Sequence, residues 1–354
     1  MTSVRDAAIA LIVSALAVST VAVSLAIPIA AARAESAADF YRGKTITLQI
    51  GYVPGGGYDL YARQLARYYG QHVAGQPTVV TQNVPGAGSL KLANQIYNVA
   101  PRDGTTIGAI GREQVTAKLF GVPGVQFDAT KMNWIGNMDQ AASLCVVWGT
   151  SPIRTMADAR EQVMAVGATG PASTTLTLPA ALNQLLGYKF KIVSGYPGGG
   201  DITLALERGE VQGRCSWSYS SIVGTHPDWI RDKKIRFLSV AADARLPELP
   251  DVPTIYELAP KDHDKQVLAL IMASDTIARP FVAPPNVPAE RLQALRDAFS
   301  ATLRDPAFIA EAKKQDLELD PMDWKDMTKA IEKLYASPPS VVKTATDIIQ
   351  RAGH

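Results

Sequence analysis

The sequence predicts an α/β protein folded as two lobes, and three observations carry that reading. Short β-branched runs alternate with helical runs through both halves of the chain. Four small-residue loops stand between a strand and a helix. One of these loops recurs: GYVPGGGYDLYARQLAR, from Gly51, is echoed by GYPGGGDITLALERG, from Gly195.

The elements follow in order. Thr45–Ile50 alternates as a strand should, PGGG follows, and a helix runs from about Leu60 to Tyr69. Thr78–Gln82 is a second strand, leading through NVPGAG into a helix whose Leu92, Ala93, Ile96 and Tyr97 share one face. The turn PRDG then precedes a third strand, TTIGAI. Strand, helix, strand, helix, strand argues for a parallel sheet. A second series begins after Trp134. Its strands are Leu144–Trp148, Val163–Gly167, Phe190–Val193, Val211–Trp217 and Arg236–Val240. ATGPASTT opens a helix of about Leu176–Leu186 closed by Gly187, and the second PGGG opens ITLALERG. The short strand-like run ARPFVAP precedes a helical C-terminal part.

The chain of 354 residues opens with Arg5 and Asp6, then a charge-free apolar run reaching Ala32. Pro28 and the triplet Ala32-Arg33-Ala34 predict a signal peptide cleaved after Ala34, the alternative being an uncleaved anchor. No cysteine follows that site, which argues against a lipid anchor, and no later run is long enough to span a bilayer. An exported periplasmic chain is expected, and at this length two lobes are natural. Net charge is +2 with no basic stripe, which argues against a nucleic-acid partner. Cys145 and Cys215 form either a disulfide or two buried thiols.

Glycine lets a ligand approach the backbone, and the helix N-terminus behind it offers unpaired N–H groups and partial positive charge. Such loops bind anions without needing a lysine or arginine. In open α/β sheets they gather at the carboxyl ends of the strands. The two PGGG copies are therefore expected to face each other as jaws around an anionic small molecule. They are not P-loops, since no Gly-Lys-Ser/Thr follows. Asp59 and Asp201 read as helix caps rather than ligand contacts.

Five motifs in order resemble the substrate-binding proteins of tripartite tricarboxylate transporters, the Bug family. They are PGG-x-x-D at Pro54–Asp59, N-x-PGAG at Asn83–Gly88, APRDG at Ala100–Gly104, YPGGG at Tyr196–Gly200 and LPDVPT at Leu249–Thr254. The similarity runs from about Phe40 to about Ile348. It implies a periplasmic binding protein type II-like fold, two α/β lobes with a ligand cleft between them and a double crossover. The expected division is 1–34 signal peptide, 35–136 plus 249–354 domain 1, and 137–248 domain 2. Crossover residues are expected near Asn133–Asn137 and around Ala242–Pro250. The resemblance also implies capture of a small organic carboxylate and its delivery to membrane permease subunits. Carried onto this sequence, the ligand loops are Gly55, Gly56, Gly57, Gly86, Ala87 and Gly88, with Thr169 to Thr174 (Ser173 included) and Ser216 from the second lobe.

The sequence departs from the family where Thr174-Thr175 replace a common histidine. It departs again where Gly213–Ser218 lacks an acid that could read an amino-acid ammonium, which disfavours amino-acid ligands. Tyr58, Tyr196 and Trp217 could cover a ligand or pack the lobes. Arg112 reads as a grip on a second carboxylate or as a solvated charge at a helix start, and Arg214 as a residue of the cleft edge or the partner of an acid. Nothing calls for a metal or cofactor, and the oligomeric state is left open, although a binding protein that feeds a transporter works as a monomer. An enzyme is disfavoured, because G-x-S-x-G and H-E-x-x-H are absent; a Cys215–His226 pair is the residual possibility. A sensing partner of a two-component receptor is the other alternative.

Overall fold

The computed structural model describes residues 35–352 except 141 and 172. The leader and its cleavage after Ala34 lie outside them. The first lobe begins with α1 (Ala37–Tyr41), β1 (Thr45–Ile50), α2 (Gly57–His72), β2 (Thr78–Asn83), α3 (Leu90–Asn98), β3 (Thr106–Ala109) and β4 (Asn133–Asn137). The second holds β5 (Ser143–Trp148), α4 (Met156–Glu161), β6 (Met164–Ala168), α5 (Thr174–Leu186), β7 (Phe190–Ser194) and α6 (Gly199–Glu207). It continues through β8 (Gly213–Ser218), α7 (Tyr219–Thr225), α8 (Pro227–Arg231), β9 (Ile235–Ala241) and α9 (Asp262–Met272). The chain then returns as β10 (Pro280–Ala283), α10 (Ala289–Thr302), α11 (Pro306–Lys314), β11 (Met322–Asp323), α12 (Trp324–Tyr335) and α13 (Pro339–Ala352).

The sheets run β11-β4-β10-β3-β1-β2 and β7-β6-β8-β5-β9. Each is mixed rather than parallel throughout. β1 pairs parallel with β2 and β3, but β10 joins β3 antiparallel and carries β4. β6 pairs parallel with β7 and β8, whereas β5 lies antiparallel to both β8 and β9. The antiparallel strands are those next to the crossings, because a chain that enters and leaves a lobe once must reverse direction there.

The outward crossing directly follows the residues expected near it, whereas the strand pairing supports a later return than Ala242–Pro250. Residues Asn133–Asn137 form β4, and the chain changes sheets between Asn137 and Ser143. The stretch around Ala242–Pro250 stays with the second lobe: Val240 bridges Thr254, and α9 packs on α5. The return therefore lies between Met272 and Pro280, through a short 3-10 turn at Ala273–Ile277. The crossings hold each other: the Met138 N–H donates to Arg279 O (3.1 Å) and the Ala278 N–H to Asp139 O (3.0 Å). We accordingly propose that 242–272 belongs with the second lobe.

Burial follows the amphipathic pattern. One apolar cluster joins Leu48, Leu65, Phe281, Phe299 and Phe308 on the first sheet. Another packs Leu206, Trp217, Ile222 and Trp229 on the second. A third spans both lobes, from Ile96 through Leu182 and Leu268 to Ile348. α13 contributes Val341, Ala345, Ile348 and Ile349, one helical face, and packs against α5 and α9. The C-terminal helix thus lies on the second lobe, unlike α10, which packs on α2.

Candidate functional site

In each sheet one central strand is flanked by the next two. β1 lies between β2 and β3, and β6 between β7 and β8. The carboxyl end of such a strand is a topological switch point, where neighbouring connections diverge and leave a crevice. The loops after β1 and β2 carry PGGG and PGAG. Those after β6 and β7 carry ATGPAS and the second PGGG. The two PGGG copies therefore occupy different stations: the first follows a switch strand, the second an edge strand.

They meet nonetheless. A methyl added at Gly56 would lie 3.8 Å from Gly200 N and 4.0 Å from Gly199 N. The other two loops meet in the same way, since a methyl on Gly170 would fall 3.0 Å from the Ala87 carbonyl carbon. One on Gly88 would fall 3.1 Å from Ser173 Cβ. Each first-station loop thus abuts the other lobe's second-station loop; at Gly170 and Gly88 only glycine fits without crowding the facing loop, whereas a methyl at Gly56 would make ordinary van der Waals contact.

Beneath the PGGG pair is a cavity of about 60 Å³. Its lining includes Gly55, Gly56, Gly57, Tyr58, Arg112, Thr169, Ser173, Thr174, Ser216 and Trp217, all singled out in the sequence. It also includes Tyr52, Glu113, Arg214, Ser218, Ser221, His226 and Arg279. Gly86, Ala87 and Tyr196 lie instead on an outer groove with Pro171 and Pro197. Gly88 is packed on Ser173 and gives its carbonyl to Gln114 Nε2 at 2.8 Å. A larger groove of about 920 Å³, lined by residues such as Ala269, Leu270, Leu334 and Pro338, is mainly apolar and lies away from the glycine loops.

The Gly55 N–H is already spoken for: it donates to Asp59 Oδ2 at 3.1 Å. Asp59 caps the first turn of α2 and also receives Arg63 and Asn83. Asp201 holds the matching place on α6 but makes no capping bond, and its Oδ2 is buried without a partner.

Arg112 is buried, not solvated. Its guanidinium crosses from the first lobe into the second, donating to Ser143 Oγ (2.7 Å), Ser216 Oγ (2.8 Å) and Ser218 Oγ (3.2 Å). Nη1 lies 3.1 Å from Asp275 Oδ1. Ser216 reaches this place because its backbone is left-handed (φ +56°), beside an irregular register between β5 and β8. With so many donors engaged, Arg112 reads as a latch between lobes more than as a free grip.

Arg279 and Arg214 differ. Arg279 is 2% exposed; it donates to Ser221 Oγ (2.6 Å) and Ala278 O (2.8 Å). Its guanidinium stacks on Tyr58 (5.0 Å) and Tyr61 (4.7 Å). Arg214 donates to Gly199 O (3.1 Å) and stacks on Trp217 (4.6 Å). The Nε of each is buried without a partner. Tyr58 also stacks on Tyr52 (4.6 Å), and Trp217 meets His226 and Trp229 edge-on. Their rings therefore serve protein packing and support the arginines.

Buried acids stand near the arginines: Glu113 lines the cavity, Asp275 faces Arg112, and Asp139 lies near Arg279. Burial pushes the Glu113 carboxyl up to about 7, although Tyr52 Oη donates to it at 2.7 Å. Burial pushes Asp275 up to about 6 against the pull of Arg112. Arg214 is brought down to about 9, chiefly by burial and then by the nearby Arg112 and Arg279. Cys145 and Cys215 are joined by a disulfide, so Cys215 offers no thiolate nucleophile beside His226.

Sequence reasoning missed Arg279, Glu113, Tyr52 and Ser221. One signal was present for the first: between Lys265 and Arg291 it is the only cation, set in a run that is otherwise largely apolar. Glu113 and Tyr52 carried no spacing signal.

Among known proteins, the chain is 30% identical over 312 residues to the UPF0065 protein in gbd 5'region of Cupriavidus necator, covering 84% of this chain and 86% of that one. The periplasmic binding protein BugD superposes with a TM-score of 0.68 at 20% identity, over 88% of this chain and 99% of its own. MatC from Rhodopseudomonas palustris, solved with bound malate, gives a TM-score of 0.66 at 20% identity, over 86% and 99%. The model of the TctC family, the tripartite tricarboxylate transporter family receptor, matches residues 61–346. The chain belongs to that family of receptors: the two-lobed fold and the paired glycine loops are those of a solute-binding protein, not of an enzyme.

Proposed function

We propose that this receptor works in the periplasm, captures a small organic carboxylate between its glycine loops, and hands it to the permease subunits of a tripartite transporter. The observation that carries this is the abutment of the two PGGG loops over a cavity lined by Arg112, Arg214 and Arg279. Backbone N–H groups at the starts of α2 and α6 and buried guanidiniums are together suited to a carboxylate. The malate held by MatC is consistent with the same chemistry. In this reading Gly56, Gly57, Thr174 and Ser216 border the ligand, Tyr58 and Trp217 support the arginines, and Gly88 with Ser173 closes the second pair of loops.

The test is a thermal-shift and calorimetric screen of the exported chain from Glu35, against mono-, di- and tricarboxylates, aromatic acids and amino acids. Binding to the native state raises Tm by mass action, about 2.7 kcal/mol of stabilisation at a hundred times Kd. The expected result is a shift with carboxylates and none with the matching alcohols. No shift with any acid would overturn the proposal.

A further inference from the structure

The two abutting PGGG loops are alike in more than sequence. Each opens a helix, α2 or α6. Each also has a guanidinium laid directly against it. A methyl on Gly57 would meet Arg279 Nη2 at 3.2 Å, and one on Gly199 would meet Arg214 Nη2 at 2.8 Å. Each guanidinium is braced by aromatic rings, Tyr58 and Tyr61 for Arg279 and Trp217 for Arg214. Each keeps one buried N–H without an acceptor.

The charge balance is uneven. Arg112 has Asp275. Neither Arg214 nor Arg279 lies within salt-bridge distance of a carboxylate among the described residues, although the buried Asp139 and Asp275 act on Arg279 from farther away. Burial pushes the Glu113 carboxyl up to about 7, so near neutral pH it supplies only part of a negative charge. Arg279 is buried and Arg214 half-buried, yet each keeps a buried Nε–H short of an acceptor at the cavity, and an anion that reaches both supplies the missing acceptors and charge.

We propose that Arg214 and Arg279 form a two-jawed cationic clamp that selects dianions, one acidic group at each PGGG jaw. The proposal rests on the carboxylate-cleft reading and names which carboxylates the cleft prefers. The two guanidiniums come from opposite sides, Arg214 from β8 and Arg279 from the return crossing. A dianion therefore ties the second lobe to the crossover, whereas a monoanion satisfies one jaw and leaves the other guanidinium short of its acceptor.

The experiment compares malonate, succinate, glutarate and adipate, each with its half-amide, by calorimetry on the full exported chain. The half-amide keeps the shape and one acceptor oxygen, and removes the charge and the second acceptor. The best diacid is expected to exceed its half-amide by about 10- to 100-fold, the worth of one charge-assisted contact. In Arg214→Gln and in Arg279→Gln that ratio is expected to fall towards unity, and Arg279→Lys to retain part of it. A folding defect lowers both affinities together and leaves the ratio intact, and melting curves identify it separately. Half-amides or monocarboxylates that bind wild type as tightly as diacids would overturn the clamp and leave the carboxylate cleft standing. A full ratio surviving in either well-folded glutamine variant would overturn it too. Absence of binding by every acid would overturn both.

Discussion

Single residues decide how the lobes meet, and Arg112 is the clearest. Its side chain is 4% exposed and that of Asp275 is 9% exposed. The Asp275 oxygens receive no well-aligned hydrogen bond, so Arg112 is their main compensation. Arg112→Gln removes the cation and leaves the carboxylate in the interior. The expected loss is about 3 kcal/mol at neutral pH. The loss shrinks at about pH 5, because Asp275 then escapes by taking a proton. The double variant with Asp275→Asn recovers much of it. Urea titrations at the two pH values check this; equal losses at both would mean that the ion pair is not what the substitution breaks. The sequence could not have shown this role. It places Arg112 after a strand, among loops that bind ligands, but only the other lobe's three serines turn a charge at a helix start into a latch.

At the scale of elements, β5 and β8 are joined side by side by the Cys145–Cys215 disulfide, which closes a loop with a sequence separation of 70 residues. Both cysteines lie in the apolar core. Replacing both with alanine is expected to destabilise the protein by about 2–4 kcal/mol. Native protein should lose a similar amount after full reduction in denaturant and refolding under reductant. A denaturation midpoint that moves in neither case would show that the bond contributes nothing. Most other elements were legible. β1, β2, α3, α5, β7 and α6 were readable because each carries either a strict period or a glycine boundary. α2 begins at Gly57 rather than at Leu60, since the last glycine of PGGG already turns into the helix. The crossover expected near Asn133–Asn137 comes just after those residues, which form β4 through pairing with β10 and β11. α7, α8 and α9 follow or precede irregular stretches with no clean period, and tertiary packing decides them. The site was half legible. Glycine loops announce themselves by composition, whereas a buried arginine contributed by a crossing 165 residues downstream of Gln114 (Arg279) is brought there by topology alone.

For the whole molecule, the prediction is that the buried carboxyl of Glu113 ties lobe closure to pH. It lines the cavity beside Thr174 and Ser216, and its neighbours are Tyr52, Arg112, Asp275 and Tyr58. In the closed form its carboxyl is pushed up to about 7 from an ordinary 4.5. An open form that lets water reach it returns it towards the ordinary value. The closed state therefore binds the proton more tightly. Closure is favoured fully below the ordinary value, weakens as pH rises through the window up to about 7, and is least favoured above it. The full effect is at most about 3 kcal/mol. The expected outcome is a radius of gyration, by small-angle X-ray scattering, that grows as pH rises from about 5 to about 8. In Glu113→Gln, which keeps the side chain uncharged throughout, the radius should stay near the low-pH value. An anion in the cavity adds repulsion to the charged form and raises the carboxyl further, so binding near neutral pH should take up protons. Calorimetry in buffers of different ionisation enthalpy reads that uptake directly. A radius independent of pH in the wild type, or the same pH dependence in Glu113→Gln, would mean that Glu113 stays buried in both states; the linkage between proton and closure would then fall, and the glycine loops and arginines alone would govern closing.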